Sequence, residues 1–143
     1  MAKTVLQGTA DTLESFGLGW AWAPLDAEQL PAKVQAVIVA SPDGELPGRW
    51  SRETGRLTIR VPVEGAGRNG LDLLNDEAGR LPVGPADGVF ATMAIGAAGA
   101  KNAALFVVAV LAVQDEALRA RWTAFRERQT TDVLAGTAPT LEG

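Results

Sequence analysis

The run Ile95-Gly96-Ala97-Ala98-Gly99-Ala100-Lys101-Asn102 holds the clearest chemistry-bearing spacing in the chain. An apolar stretch, Val89 to Ile95, meets two glycines, and a long apolar stretch follows. In an open parallel sheet, ligands bind beyond the carboxyl ends of the strands. Backbone N–H groups of Ala98 to Lys101 at the head of a helix would accept an anion there, through unpaired donors and the helix dipole. Gly96 and Gly99 would permit close approach and positive φ. The competing reading is a tight turn needed only to pack helix on strand, and the pattern alone does not separate the two. Lys101 sharpens the question, because a cation is unfavourable near a helix N-terminus. It faces a carboxylate, a ligand phosphate or plain solvent, with Asn102 beside it. Asn69-Gly70-Leu71-Asp72 is a second candidate and reads first as an ordinary helix cap.

What the chain lacks narrows the chemistry further. It has no Cys and no His. Disulfides, thiolate catalysis and thiolate metal sites are excluded, and so are the commonest metal ligand and the commonest general base at neutral pH. An oxygen-only Mg²⁺ or Ca²⁺ site stays open, but no acidic cluster has EF-hand spacing, so neither metal nor cofactor is expected. The net charge of −4 offers no broad basic surface for nucleic acid. The most apolar segment, Ala103 to Val113, is far shorter than the ~20 residues of a membrane span. The N-terminus turns polar within a few residues, unlike a secretory signal. A cytoplasmic protein without a membrane partner is expected.

The elements that must position these residues follow from pattern. At 143 residues, 47% apolar and 21% charged, the chain reads as one globular domain over 1–136 with a tail at 137–143. Val5-Leu6 reads as a short edge strand. Thr9 or Asp11 then caps a short helix that runs to about Phe16 and ends at Gly17. "LGWAWAPL" alternates small and large residues and reads as a strand ended by Pro24. "AEQL" reads as a helical turn capped by Asp26. Lys33 to Ser41 is a buried strand, apolar on both faces around Val37-Ile38-Val39. "PDGELPGRW" is a loop, Leu57 to Val63 the next strand, and "EGAGRNG" a glycine-rich loop. Asn69 caps a helix, "GRLPVGPADG" is again loop, and Val89 to Ile95 is the third buried strand.

The glycine turn and the helix "NAALFVVAVLAV" come next. That helix is apolar on every side, so it must be covered all round, which favours an oligomer. Gln114 to Leu134 forms a closing amphipathic helix. Leu118, Trp122 and Phe125 share one face, and Asp115 and Arg119 stand as an i,i+4 pair on the other. Alternating strands and helices indicate an α/β fold with a parallel sheet.

Three segments in order, "VPVEGAGRNGLDLL", "MAIGAAGAKNAALFVVAVLA" and "QDEALRARWTAFRERQTTDVLA", resemble the carboxyl-terminal half of the PurE family. These are the aminoimidazole ribonucleotide carboxylases and carboxyaminoimidazole ribonucleotide mutases of purine biosynthesis. Family members show a strand ending in Gly-Val-Pro-Val, then Asn-Gly-Leu-Asp, then Ala-Ile-Gly-Lys-Ala-Gly-Ala-Lys-Asn-Ala and two closing helices. The resemblance covers about Leu57 to Ala135. It implies a flavodoxin-like three-layer α/β/α fold, a homo-octamer with its carboxyl-terminal helices packed in the assembly, and a nucleotide monophosphate ligand.

The amino-terminal half departs from that pattern. The family's Gly-Ser-x-Ser-Asp phosphate loop is reduced to "QGTAD", which keeps Thr9 and Asp11. Its Ser-Ala-His-Arg-Thr-Pro is replaced by "WAWAPLDAEQL". Its Gly-Gly-Ala-Ala-His-Leu-Pro-Gly becomes "SPDGELPGRW", with Leu46-Pro47-Gly48 kept, Gly44 adjacent and Glu45 in place of the histidine. Ala97 replaces the lysine of the glycine turn, and the shortened stretch before the third strand requires reduced elements. The resemblance thus implies ligand contacts at Thr9, Asp11, Gly44, Gly96, Ala98, Gly99, Lys101 and Asn102.

Carboxyl transfer needs a proton donor and acceptor near neutral pKa, which a histidine supplies readily. Glu45 would need burial to do so. Arg49, Arg56 and Arg68 are the cations left to stand in for the lost phosphate-binding Arg. Three functions stay open: a catalytically impaired member that keeps the oligomer and a nucleotide crevice, an active carboxylase or mutase using Glu45, and a structural or regulatory partner of a genuine family enzyme.

Overall fold

Three parallel strands, β1 (Ala36–Ser41), β2 (Leu57–Pro62) and β3 (Ala91–Thr92), lie in that order in one sheet. The computed structural model describes residues 2–24, 26–64 and 88–136. β1 pairs with β2 from Ala36↔Leu57 to Ser41↔Pro62, and β2 pairs with β3 at Ile59↔Ala91 and Arg60↔Thr92. Among the described residues four helices accompany them: α1 (Ala2–Ser15), α2 (Glu45–Thr54), α3 (Gly96–Leu111) and α4 (Glu116–Ala135). This parallel sheet with helices is the flavodoxin-like α/β arrangement. Contacts divide the chain into two compact units, Met1–Val107 and Val108–Gly143.

In the first unit, α1 packs on β1, and α2 packs on β1 and β2. The central strand carries the core. Ile59 and Val61 are wholly buried, beside Val39, Trp50 and Phe16. Each large apolar side chain so buried is worth about 1.5–3 kcal/mol against exposure. Pro62 lacks a donor and falls at the end of β2, where a strand tolerates it.

In the second unit, Asp115 opens α4 as its N-cap, its carboxylate accepting the Leu118 N–H at 2.9 Å. The carboxylate therefore serves a helix end rather than the expected i,i+4 pairing with Arg119. Leu118 is buried, and Trp122 stacks on Phe125 with centroids 5.8 Å apart. These are the three residues read as one face.

Several expectations are corrected. Val5-Leu6 is not a strand but part of α1. Thr9, Thr12 and Phe16 are buried at helical spacing, so the pair belongs to a longer helical pattern, and Thr9 and Asp11 lie inside the helix rather than at its cap. Residues 18–24 form no strand, since a high β-propensity needs a paired neighbour to be realised. Trp20 instead packs edge-on to Trp22 with centroids 5.2 Å apart and donates its Nε1–H to the Glu14 carboxylate at 2.8 Å. "AEQL" is not helical, because so short a piece cannot meet the cost of helix nucleation.

The expected loop "PDGELPGRW" is α2 from Glu45 onward. Pro47 falls in its first turn, where no N–H is needed, and the Gly48 N–H donates to Gly44 O at 3.0 Å. The expected buried strand from Val89 to Ile95 pairs only at Ala91–Thr92, is half-buried there, and leaves Val89 86% exposed. Ser51 of α2 explains the shortening. Its hydroxyl donates to Val89 O at 2.5 Å and accepts the Val89 N–H at 2.9 Å, so a side chain satisfies the groups a strand neighbour would take. The Asn69 helix cap, its flanking loops and the 137–143 tail lie outside the described residues.

Candidate functional site

Two connections that leave the carboxyl ends of the parallel strands lie wholly within the described residues: residues 42–44, from β1 to α2, and residues 93–95, from β3 to α3. The first is built from side chains. Ser41, 4% exposed, donates its hydroxyl to Asp43 Oδ1 at 3.3 Å and accepts the Asp43 N–H at 3.3 Å. Asp43 Oδ1 then accepts the Glu45 N–H at 3.1 Å. Gly44 precedes α2 without a side chain to cap it, so Asp43 supplies the acceptor that the helix start needs. Glu45 is exposed as the first residue of α2, where a negative charge complements the helix end. Gly44 is half-buried under the Phe90 ring.

The second connection is built from backbone. Gly96 opens α3 at φ +74°, a conformation that costs a non-glycine residue about 1–2 kcal/mol. Gly99 is buried, and a Cβ placed on it would collide with the carbonyl of Ala94. The glycines thus allow α3 to fold back onto the chain that enters it. The expected turn is in fact the first turn of α3, which begins at Gly96 rather than at Asn102. This moves the free donors. A helix leaves only its first four N–H groups unbonded, the N-cap included, so Ala98 alone fits the expected set, while Ala100 and Lys101 donate within the helix. Ala98, Lys101 and Asn102 are exposed.

The other expected contacts fall as follows. Thr9 is 6% exposed in α1, and its hydroxyl donates to Ala100 O at 2.9 Å, which ties α1 to α3. Asp11 is exposed on α1 and accepts from Gln7 Nε2 at 2.9 Å. The structure therefore brings Thr9 to the head of α3, while Gly44 and Glu45 stand on the other connection. Arg49 lies with its guanidinium carbon 4.8 Å from the Trp50 ring centroid and donates to Ala27 O at 3.4 Å. Arg56 donates to Ala32 O at 2.9 Å. Arg68 lies outside the described residues.

Sequence reasoning passed over Arg60, among the described residues the largest of the wholly buried side chains, at 2% exposure in the middle of β2. A lone cation inside an otherwise buried strand was the available signal. Among the described residues no group of three or more His, Cys, Asp and Glu side chains could hold a metal ion, and no helix is long and apolar enough to cross a membrane.

Comparison with known proteins places this geometry. A family model described as AIR carboxylase matches residues 4–132. The chain is similar to the N5-carboxyaminoimidazole ribonucleotide mutase of Brucella melitensis biotype 1, 37% identical over 137 residues, which covers 87% of this chain and 82% of the relative. It is 34% identical over 143 residues to the mutase of the same name from Vibrio parahaemolyticus, covering 91% and 86%. With that of Escherichia coli strain K12 it shares 36% identity over 115 residues, covering 79% and 66%.

Proposed function

Because this chain belongs to the AIR carboxylase family, the PurE family of purine biosynthesis, we propose that it is a divergent member without the proton-transfer group of the carboxylase and mutase reactions. One observation carries this reading. The chain has no histidine, and the carboxylate that stands in the family's histidine position, Glu45, is exposed at a helix start. A carboxyl group that exchanges protons at neutral pH requires an enclosing, desolvating pocket. Residues 93–99 supply the remaining anion site, with the N–H groups of the first turn of α3 as donors for a nucleotide monophosphate. Asp11, Gly44, Lys101 and Asn102 complete the proposed ligand set, while Thr9, its hydroxyl committed to Ala100 O, supports the head of α3 from behind. Without the lost serines and arginine the affinity is on the order of millimolar, about −4 kcal/mol.

The protein acts as a single domain and a homo-oligomer, an octamer by analogy with its family, in the cytoplasm. Val110 near the end of α3 is 41% exposed and Val113 beyond it 71% exposed, apolar side chains suited to a subunit contact. Sedimentation would test this: Val110→Glu should lower the mass of the assembly, and a wild-type monomer at micromolar concentration would defeat it.

A second reading is an active enzyme. The retained Leu46-Pro47-Gly48 in the first turn of α2 favours it, since in the family's pattern the histidine precedes Leu-Pro-Gly and Glu45 precedes it here. Assay of purified protein with aminoimidazole ribonucleotide and carbon dioxide, and with its N5-carboxylated form, separates the readings. No turnover above background at neutral pH is expected. Robust turnover abolished by Glu45→Gln would establish the second.

A further inference from the structure

Arg60 has a role that no motif assigns. Its guanidinium is buried on the central strand, and a buried charge persists only where hydrogen bonds compensate for lost water. Its Nε–H donates to Ser41 O at 3.4 Å and its Nη2–H to Pro42 O at 3.0 Å. Those carbonyls close β1 and open the connection to α2. From Ser41 the bonds continue through Asp43 to the Glu45 N–H. Two sets of hydrogen bonds therefore meet at Ser41, one on its carbonyl from the middle of β2 and one on its hydroxyl leading to the first residue of α2. They lie along the carboxyl edge of the sheet, where open α/β folds take their ligands. The strand that ends Gly-Val-Pro-Val in the family ends Arg60-Val61-Pro62-Val63 here. The exchange puts a guanidinium fork where glycine leaves space.

We propose that Arg60 is a latch: it ties the β1–α2 connection to β2 and thereby limits how far that connection opens to a phosphorylated aminoimidazole nucleoside. The ligand class rests on the functional reading above. The latch does not, because its contacts are within the chain. A connection that is open only a fraction of the time binds with an affinity reduced by that fraction. Releasing the latch should therefore tighten binding rather than weaken it. Lysine cannot replace it, since an ammonium lacks the planar fork that spans two carbonyls.

Two variants test the latch. Arg60→Met keeps much of the side-chain volume and removes the donors; Arg60→Gly also opens the space. In Arg60→Met, hydrogen exchange at the Asp43 and Glu45 amides should accelerate at least tenfold while the Ile59 and Val61 amides stay protected. Calorimetry with aminoimidazole ribonucleotide should show Arg60→Gly binding at least tenfold tighter than wild type. Equal or weaker binding overturns the proposal, weaker binding making Arg60 a ligand contact. If Arg60→Gly does not fold, Arg60→Met carries both measurements. Unchanged exchange at Asp43 and Glu45 overturns the latch whatever the activity. Turnover by the wild-type protein overturns the functional reading and leaves the exchange result to decide the latch.

Discussion

The two connections at the carboxyl edge of the sheet solve the same problem by different means. Each follows a parallel strand and opens a helix. The one after β1 is held by Ser41, Asp43 and Arg60, all through side-chain atoms. The one after β3 is held by the absence of side chains, at Gly96 and Gly99. The difference teaches which features survive divergence. A connection made of side chains can exchange its chemistry residue by residue. A connection made of backbone has few substitutes, because any Cβ at Gly99 meets the Ala94 carbonyl.

The largest effect that would sharpen this contrast is expected from Gly99→Val. The branched side chain cannot clear the Ala94 backbone, and overpacking of this kind costs about 1–3 kcal/mol or more. Urea denaturation should show a loss at the top of that range. Near-wild-type stability would mean that α3 can shift freely and that the close approach is incidental. The consequence reaches the ligand question: Gly99 faces its own chain, so this variant reports folding and not access.

Gly96→Ala is the next largest. Open space surrounds Gly96, so only its positive φ is at stake, and a loss of about 1–2 kcal/mol is expected in the same titration. If phosphate binding measured by calorimetry vanished while stability held, the first turn of α3 would be shown to act as an anion site beyond its packing role.

Asp43→Ala should do least. It removes the acceptor for the Glu45 N–H at the start of α2, at a cost of about 1 kcal/mol. Asp43→Asn, which keeps an acceptor, should recover most of it. A loss well above that of Gly96→Ala would break the comparison, because the side-chain connection would then be the less replaceable of the two.

Much of the framework was legible in the residues. The Val37-Ile38-Val39 and Leu57 to Val63 stretches read correctly as parallel strands, although Val37 and Ile38 are only half-buried and Thr58 and Arg60 interrupt the apolar residues of the second. The closing helix was equally plain, but it is not the amphipathic element expected, since Leu118 is its one buried residue and Val133 and Leu134 are exposed. Less of the site was legible. Glu45 read as a loop residue because Pro47 and Gly48 resemble loop residues locally, yet both are tolerated in a first helical turn when Asp43 and Gly44 precede it. Val89 read as a buried strand residue because its neighbours are apolar, and nothing local reveals that Ser51, 38 positions earlier, takes its backbone bonds.

Composition and pattern alone determined the absence of histidine and cysteine chemistry and the α/β class. Those depend on which residues exist and on their periodicity, and both are properties of the linear chain. Tertiary structure alone decided that Thr9 spends its hydroxyl on Ala100, that Gly99 makes room for Ala94, and that Arg60 reaches the carbonyls of Ser41 and Pro42. Each is a contact between atoms whose separation is set by how strands and helices stack, and a hydrogen bond or a steric clash changes within a fraction of an ångström.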